Sequence, residues 1–173
     1  MSLVRRVLRQ FREPLRDGIL NVFIGSSFIP RALRPRLLRL AGHDVHPKAI
    51  VFAGVFIGGW RGLTLGEGAG VSYRTFLDLT APITIEPGAG VSFNCTLITS
   101  SHAISDSTRR WGDLQGSPIV IGAGAWIGAN CTVMPGVTIA PGTVVGAGSL
   151  VTKSLETPGV YAGVPARFIR PLD

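Results

Sequence analysis

Aliphatic residues return at every sixth position from Ile121 onward: Ile127, Val133, Ile139, Val145 and Val151. Four residues after each of the first five stand Ala125, Cys131, Val137, Thr143 and Ser149, of which only Val137 is larger than Thr or Cys. Gly122, Gly128, Ala140 and Gly146 directly follow four of the aliphatics. A helix repeats at 3.6 residues and a strand at two, so a period of six fits neither. A fixed short period marks stacked repeats. Three short strands joined by corners make one coil of about eighteen residues, with the aliphatic side chain of each hexad turned inward and a small one beside the corner. Glycine, asparagine and proline supply the corner conformations. The pattern predicts a parallel β-helix.

The same spacing runs upstream. Val45, Val51 and Ile57 form one triple, Leu65, Val71 and Leu77 a second, and Ile85, Val91 and Leu97 a third. Ala69, Thr75, Ala89 and Cys95 take the small corner positions. Between triples the step widens to eight, from 57 to 65 and from 77 to 85, which places two extra residues at the same corner of successive coils. From Leu97 to Ile121 the step is 24, so about 18 residues leave the prism as a loop. The count is about five coils, three before the loop and two after. The expected layout is a helical arm or cap over 1–42, a β-helix over 43–155 with a protruding loop over 99–118, and a tail over 156–173.

Charge separates the arm from the rest. Residues 1–41 hold nine Arg and two acids, whereas residues 42–173 hold eight bases and eight acids. The net charge of +7 therefore belongs to the arm and does not make the body a nucleic-acid binder. Leu3, Val4, Val7, Leu8 and Phe11 recur at helical spacing, with Arg5, Arg6, Arg9 and Arg12 mostly on the other side. Pro14 can open a second helix through Leu20 and Phe23. Leu33, Leu37, Leu38 and Leu40 mark a third, begun near Pro35 and closed by Gly42. Such an arm either covers the open end of the solenoid, where strand edges and apolar interior need a lid, or lies on an anionic membrane surface. The two are compatible. The longest apolar stretch, Ile19 to Ile29, is interrupted by Asn21, Gly25, Ser26 and Ser27 and is too short to span a bilayer.

An apolar content of 46% with 16% charged residues argues against disorder. Cys95 and Cys131 fall at inward positions and read as buried thiols, not a disulfide. That fits a cytoplasmic protein, peripheral at the inner membrane face if the arm binds lipid. His43 and His46 have a spacing that can bind metal but no third ligand nearby, and read as surface or cap residues. His102 differs. It ends the run Leu97-Ile98-Thr99-Ser100-Ser101-His102, where a rigid rung gives way to the loop and the period is abandoned, a usual place for chemistry on a scaffold.

The stretch Ile121 to Val151, followed by Thr152-Lys153 and Gly163-Val164-Pro165-Ala166-Arg167, resembles the hexapeptide-repeat acyltransferases. Among them it is most similar to the galactoside, maltose and nodulation-factor O-acetyltransferases and the polysaccharide O-acetyltransferases of bacteria. The likeness covers about residues 40–171. It implies an all-β solenoid, a left-handed parallel β-helix. The handedness comes from the family, since physics alone favours right-handed crossovers. It also implies an O-acetyltransferase with acetyl-CoA as co-substrate and no metal. The segment ending at His102 resembles the family's Thr-x-x-His stretch, whose histidine is the general base. A hydroxyl must lose its proton as it attacks a thioester, and a neutral imidazole can take that proton. By resemblance the N–H of Ala129, in Trp126-Ile127-Gly128-Ala129, stabilises the oxyanion.

Other roles carry over in the same way. Asp78 and Asn94 match positions that help form the acceptor site, although Asp78 reads equally as a solvated corner acid. The loop 103–117 reaches over a neighbouring subunit of a trimer in the family. Arg109, Arg110 and Trp111 then border either an acceptor site or a plain interface. Trp126 precedes an inward Ile and should point outward, flanking the pantetheine groove or packing in the trimer. Ala147, Thr152 and Lys153 match coenzyme-lining positions, and Arg167 and Arg170 can reach its phosphates. Several polysaccharide O-acetyltransferases have an acid directly after the catalytic histidine, where this chain has Ala103. Orientation of the imidazole is left to Asp106, a group from elsewhere, or a backbone carbonyl.

The reaction expected is acetyl transfer to a sugar hydroxyl of a cell-surface polysaccharide or its precursor by a homotrimer, directly and without an acyl-enzyme. The alternatives are serine, an amino sugar or an antibiotic as acceptor, and a non-catalytic trimeric scaffold. Serine acetyltransferases carry a larger helical N-terminal domain and an Asp-His pair, neither of which is seen here. The γ-class carbonic anhydrases share the fold but need three zinc-ligand histidines. This chain has three in all, and His102 is placed for other work.

Overall fold

A two-residue strand has one side chain for each side of its sheet, and the hexads use this consistently. Fifteen aliphatics, from Val45 to Val151 in steps of six or the widened steps, are each no more than 3% exposed. The computed structural model describes residues 11–172, and these form a solenoid with three parallel faces. The first face stacks Asp44–Val45, Leu63–Leu65, Ile83–Ile85, Ile119–Ile121 and Thr138–Ile139. The second stacks Ile50–Val51, Gly70–Val71, Gly90–Val91, Trp126–Ile127, Val144–Val145 and Val160–Ala162. The third stacks Phe56–Ile57, Phe76–Leu77, Thr96–Leu97, Thr132–Val133 and Leu150–Val151. Like pairs with like along each face, as in Val51, Val71, Val91, Ile127 and Val145.

Five coils are complete and a sixth is begun. Leu155 bridges to Ile139, and Val160–Ala162 extends the second face before Arg167–Arg170 folds back on it antiparallel. Part of the segment over 156–173 thus belongs to a sheet.

The corners are where backbone carbonyls lose ladder partners, and an inward column of small polar side chains serves them. Thr75 Oγ1 donates to the Ser92 carbonyl at 3.0 Å, Cys95 Sγ to Gly128 at 3.1 Å, and Cys131 Sγ and Ser149 Oγ both to Gly146, at 3.1 and 2.6 Å. Both cysteines are free and buried. The hydrogen bond with Cys131, together with burial, pushes the Cys95 thiol pKa up.

The widened steps fall at the corner between the third and first faces, as does the long excursion. That excursion is not an irregular loop. Ser100–Ile104 and Trp111–Gly116 pair as an antiparallel hairpin. Its residues are mostly exposed on both sides, so no hydrophobic alternation marks it.

The arm covers the first coil. Residues 11–16 are helical and run without a break into the wider π-helical segment Asp17–Ile24, closed by the Gly25 N–H to Leu20 carbonyl bond at 3.0 Å. Pro14 therefore lies within a helical run and does not open one. The expected helical positions Leu3, Val4, Val7 and Leu8 lie outside the described residues. Leu20, Ile24 and Leu38 close the apolar end of the prism. Polar groups meet the open strand edge. Asn21 exchanges two hydrogen bonds with the Ile57 backbone, and Arg16 Nη1 reaches the Gly58 carbonyl at 2.7 Å. The second helix, Arg34–Leu40, has Pro35 in its first turn and ends before Gly42 at φ 106°.

His43 is not a surface residue, being 3% exposed. Asp44 and Val45 pair with Thr64 and Leu65, so His43 stands opposite Leu63 at the start of a column continued by Ile83, Ile119 and Val137. Neither ring nitrogen has a hydrogen-bond partner among the described residues, and burial pushes its pKa down to about 4.

Candidate active site

The hairpin carries His102. Its base is fixed by Asp78, which follows inward Leu77 at the same corner one coil earlier. Asp78 Oδ2 accepts from the Thr99 N–H at 3.0 Å, the Thr99 hydroxyl at 3.2 Å and the Ser100 N–H at 2.6 Å, while Oδ1 accepts from Thr80 at 2.9 Å. Burial raises the Asp78 pKa, but the hydrogen bonds from Ser100, Thr80 and Thr99 outweigh it and hold the carboxyl below its usual range. The side chain is thus engaged with the chain's own backbone and is no free corner acid.

At the hairpin, the His102 Nδ1 lies 2.8 Å from the Gly112 carbonyl oxygen. A carbonyl can only accept, so Nδ1 carries the proton and Nε2 is left with its lone pair. Of the three groups left open to orient the imidazole, the structure selects the backbone carbonyl. Asp106 is occupied at the hairpin tip by Thr108 and the Arg109 N–H. Trp111 packs edge-on to His102 with ring centroids 5.6 Å apart, and Arg109 lies over Trp111 at 4.3 Å. Gly112 gives no signal in the sequence because its contribution is main-chain.

The second face carries Trp126. It is 56% exposed, and its Nε1 donates to Ser92 Oγ at 3.0 Å. It sits in register between Gly90 and Val144, and a Cβ at Gly90 would meet its ring at 3.8 Å. Ser92 was not singled out from the sequence; the 36-residue register between Gly90 and Trp126 is what points to it.

Ala129 turns the corner between the second and third faces. One position further on, the corner residues Arg74, Asn94 and Asn130 adopt φ of 56–58°, so Asn94 is placed by backbone geometry. The Asn130 N–H bonds the Phe93 carbonyl and the Gly148 N–H bonds that of Ala129, which stacks Tyr73, Phe93, Ala129 and Ala147 into one outer column. Thr152 and Lys153 are exposed at the other end of the third face, near the root of the hairpin corner. Arg167 and Arg170 lie exposed on the strand that extends the second face beyond Trp126. The structure thus groups His102 with Trp111 at one corner, and Trp126, Ala129 and Ala147 along another. Among the described residues no group of three or more His, Cys, Asp or Glu is placed to hold a metal. No described helix is long and apolar enough to cross a membrane.

The profile of the family described as bacterial transferase hexapeptide (six repeats) matches residues 118–153. A protein of Dictyostelium discoideum named as an acetyltransferase is 41% identical over 171 residues, covering 96% of this chain and 80% of that one. WcaF of Escherichia coli (strain K12), named as a colanic acid biosynthesis acetyltransferase, is 37% identical over 151 residues, covering 87% of this chain and 81% of that one. Among solved structures, a maltose O-acetyltransferase from Clostridium difficile 630 superposes with a TM-score of 0.82 at 27% identity, over 96% of this chain and 89% of that one. A hexapeptide-repeat acetyltransferase of Vibrio cholerae O1 biovar eltor, solved with acetyl coenzyme A, gives 0.72 at 28% identity, over 99% and 91%. With identity sustained over nearly the whole chain and the left-handed parallel β-helix in place, this protein belongs to the hexapeptide-repeat acetyltransferases.

Proposed function

We propose that the protein transfers acetyl from acetyl-CoA to a hydroxyl of a sugar, in a cell-surface polysaccharide or its precursor, and does so as a homotrimer. The observation that carries the chemistry is the His102 hydrogen bond to Gly112, which fixes the tautomer and leaves Nε2 as the base. The acceptor hydroxyl gives its proton to Nε2 as its oxygen attacks the thioester carbonyl. The N–H of Ala129 stabilises the oxyanion so formed. Collapse breaks the carbon–sulfur bond, and the departing thiolate takes the proton back from the imidazolium.

His102 and Ala129 occupy different corners of one prism. A trimer in which the hairpin of one subunit reaches the Ala129 corner of the next unites them, and Trp111 then borders the acceptor. The exposed Trp126 flanks the track of the pantetheine arm, which runs past Ala147 toward the tail. Lys153, Arg167 and Arg170 answer the coenzyme phosphates, and Thr152 lines the coenzyme next to Lys153. Asn94 and Asp78 lie toward the acceptor, Asp78 through the hairpin it anchors. The sugar acceptor is supported by relatives named for maltose and for colanic acid biosynthesis. The apolar side chains exposed on the arm support a peripheral contact with the inner membrane face. Phe11, Leu15, Ile19, Val22 and Phe23 are all exposed on the arm beside Arg12 and Arg16.

The test is thiol release from acetyl-CoA by wild type and His102→Ala across sugars, lipid-linked oligosaccharide and serine. Acceptor-dependent release should fall by about two decades or more in the variant while coenzyme A affinity is kept. Unchanged turnover would remove His102 from the mechanism.

A further inference from the structure

The recess beneath the N-terminal cap has no part in the chemistry above. It encloses about 350 Å³, with Arg31, Arg34, Phe52, Ala53 and Tyr73 among its walls, and none of its lining residues is acidic. Arg34 is only 4% exposed. Among the described residues it uses two of its five N–H groups, Nη1 to the Val51 carbonyl at 3.2 Å and Nη2 to the Ser26 carbonyl at 2.9 Å, and its Nε finds no partner there. The described ion pairs are Arg16–Asp17 and Lys48–Glu67, so no described carboxylate answers Arg34, and residues 1–10 contain no acid. A guanidinium buried without a counter-charge is costly. Burial does press its pKa down, with Tyr73 opposing. The second cation, Arg31, rests over the Phe52 ring at 5.4 Å, and Phe52 packs on Tyr73 at 4.7 Å. Two cations and two aromatic rings therefore converge on one opening of sugar size.

Its position gives it a use. Ala53 and Tyr73 belong to the outer column that continues through Phe93 to Ala129. Tyr73 is two coils and Ala53 three coils from Ala129, and neighbouring strands lie ~4.8 Å apart, which puts the recess ~10–14 Å from the Ala129 N–H. Tyr73 and Phe93 are 52% and 51% exposed along the way. We infer that the recess binds a carboxylate or phosphate carried on the acceptor sugar chain, ~10–14 Å from the hydroxyl that is acetylated. The enzyme's acceptor is then an anionic glycan, held at one end by Arg31 and Arg34 with its sugar faces along Tyr73 and Phe93. The acetyltransferase reading enters this inference only in fixing where the reacting hydroxyl lies.

Isothermal titration of the full chain tests it with three probes: a uronic-acid oligosaccharide, its neutral counterpart, and a sugar monophosphate. Wild type is compared with Arg31→Gln, an exposed position, and with Arg34→Lys, each checked for folding by its melting curve. One anionic probe should bind about tenfold more tightly than the neutral one, and which one does names carboxylate or phosphate. The ratio should fall toward one in Arg31→Gln. Equal binding of all three probes, binding of none, or a ratio that survives Arg31→Gln overturns the inference. Coenzyme A binding is measured on the same samples. Its presence without anion discrimination sinks the recess alone, and its absence counts against the enzyme reading without touching the anion ratio.

Discussion

Asp78 has two incompatible explanations, and Asp78→Ala separates them. In the structure its carboxylate is the acceptor for two backbone N–H groups at the root of the hairpin. Truncation leaves the buried Thr99 N–H unpaired, at ~1–3 kcal/mol, while the Ser100 N–H can recover water at about 1 kcal/mol. The sum is about 2–4 kcal/mol. At ~2–4 °C per kcal/mol for a domain of this size, the melting temperature should fall by about 4–16 °C. The loss should be local, so amides of 99–116 should exchange faster while those of the prism keep their protection. Turnover should fall with it, because His102 is two residues beyond Ser100, and KM should change little. Asp78→Asn keeps one acceptor oxygen and should cost about 1 kcal/mol. The lowered carboxyl pKa adds a sign. The stabilisation is present above about pH 4 and is lost as pH falls through the folded value, so wild type and Asp78→Ala should converge in acid. Were Asp78 instead an acceptor ligand, the variant would melt like wild type and show a raised KM. That outcome, or unchanged hairpin protection, refutes the anchoring argument.

Three further perturbations bear on other parts of the molecule. His43 folds with its pKa depressed to about 4, so its stabilisation is complete above pH 6.5 and lost between 6.5 and 4; His43→Leu should remove an acid-side loss of about 2–3 kcal/mol, read from denaturant melts at pH 7.5 and 4.5. A Cβ at Gly128 would lie 2.6 Å from the Ala147 nitrogen, and one at Gly122 would lie 2.5 Å from that of Pro141. Alanine at either should cost about 1–3 kcal/mol, but only Gly128→Ala, next to Ala129, should also reduce turnover in the thiol-release assay. Leu15→Glu with Ile19→Glu places charge on the exposed apolar stripe of the arm and should abolish co-sedimentation with anionic vesicles without lowering the melting temperature.

The prism was legible because its physics is periodic. Each inward aliphatic from Val45 to Val151 repeats the same steric problem, and a repeated problem leaves a repeated residue. The corner column Thr75, Cys95, Cys131 and Ser149 was legible as small. That it is also a column of donors needed the carbonyls in view. His43 escaped because the register was followed through Val45, Leu65 and Ile85; two positions back, Leu63, Ile83, Ile119 and Val137 continue its column. The hairpin left no trace, since strands with both sides in solvent carry no alternation. His102 stood out by where the period broke, but its partner is the carbonyl of Gly112, and main-chain partners have no letter. Arg34 looked like one arginine among nine. Only packing distinguishes the one that is buried from those that solvate the arm.

The root of the hairpin is closed on itself. The Ser117 N–H bonds the Thr99 carbonyl at 2.8 Å, and by Ile119, bonded to the Pro82 carbonyl at 3.0 Å, the next coil has resumed. Everything between is a cassette plugged into a socket. Extra chain at that point costs the scaffold only ~0.6 kcal/mol per doubling of length. On the proposed reading, in which Trp111 borders the acceptor, a hairpin transplanted from a relative should change that border while the solenoid beneath it is left as it was.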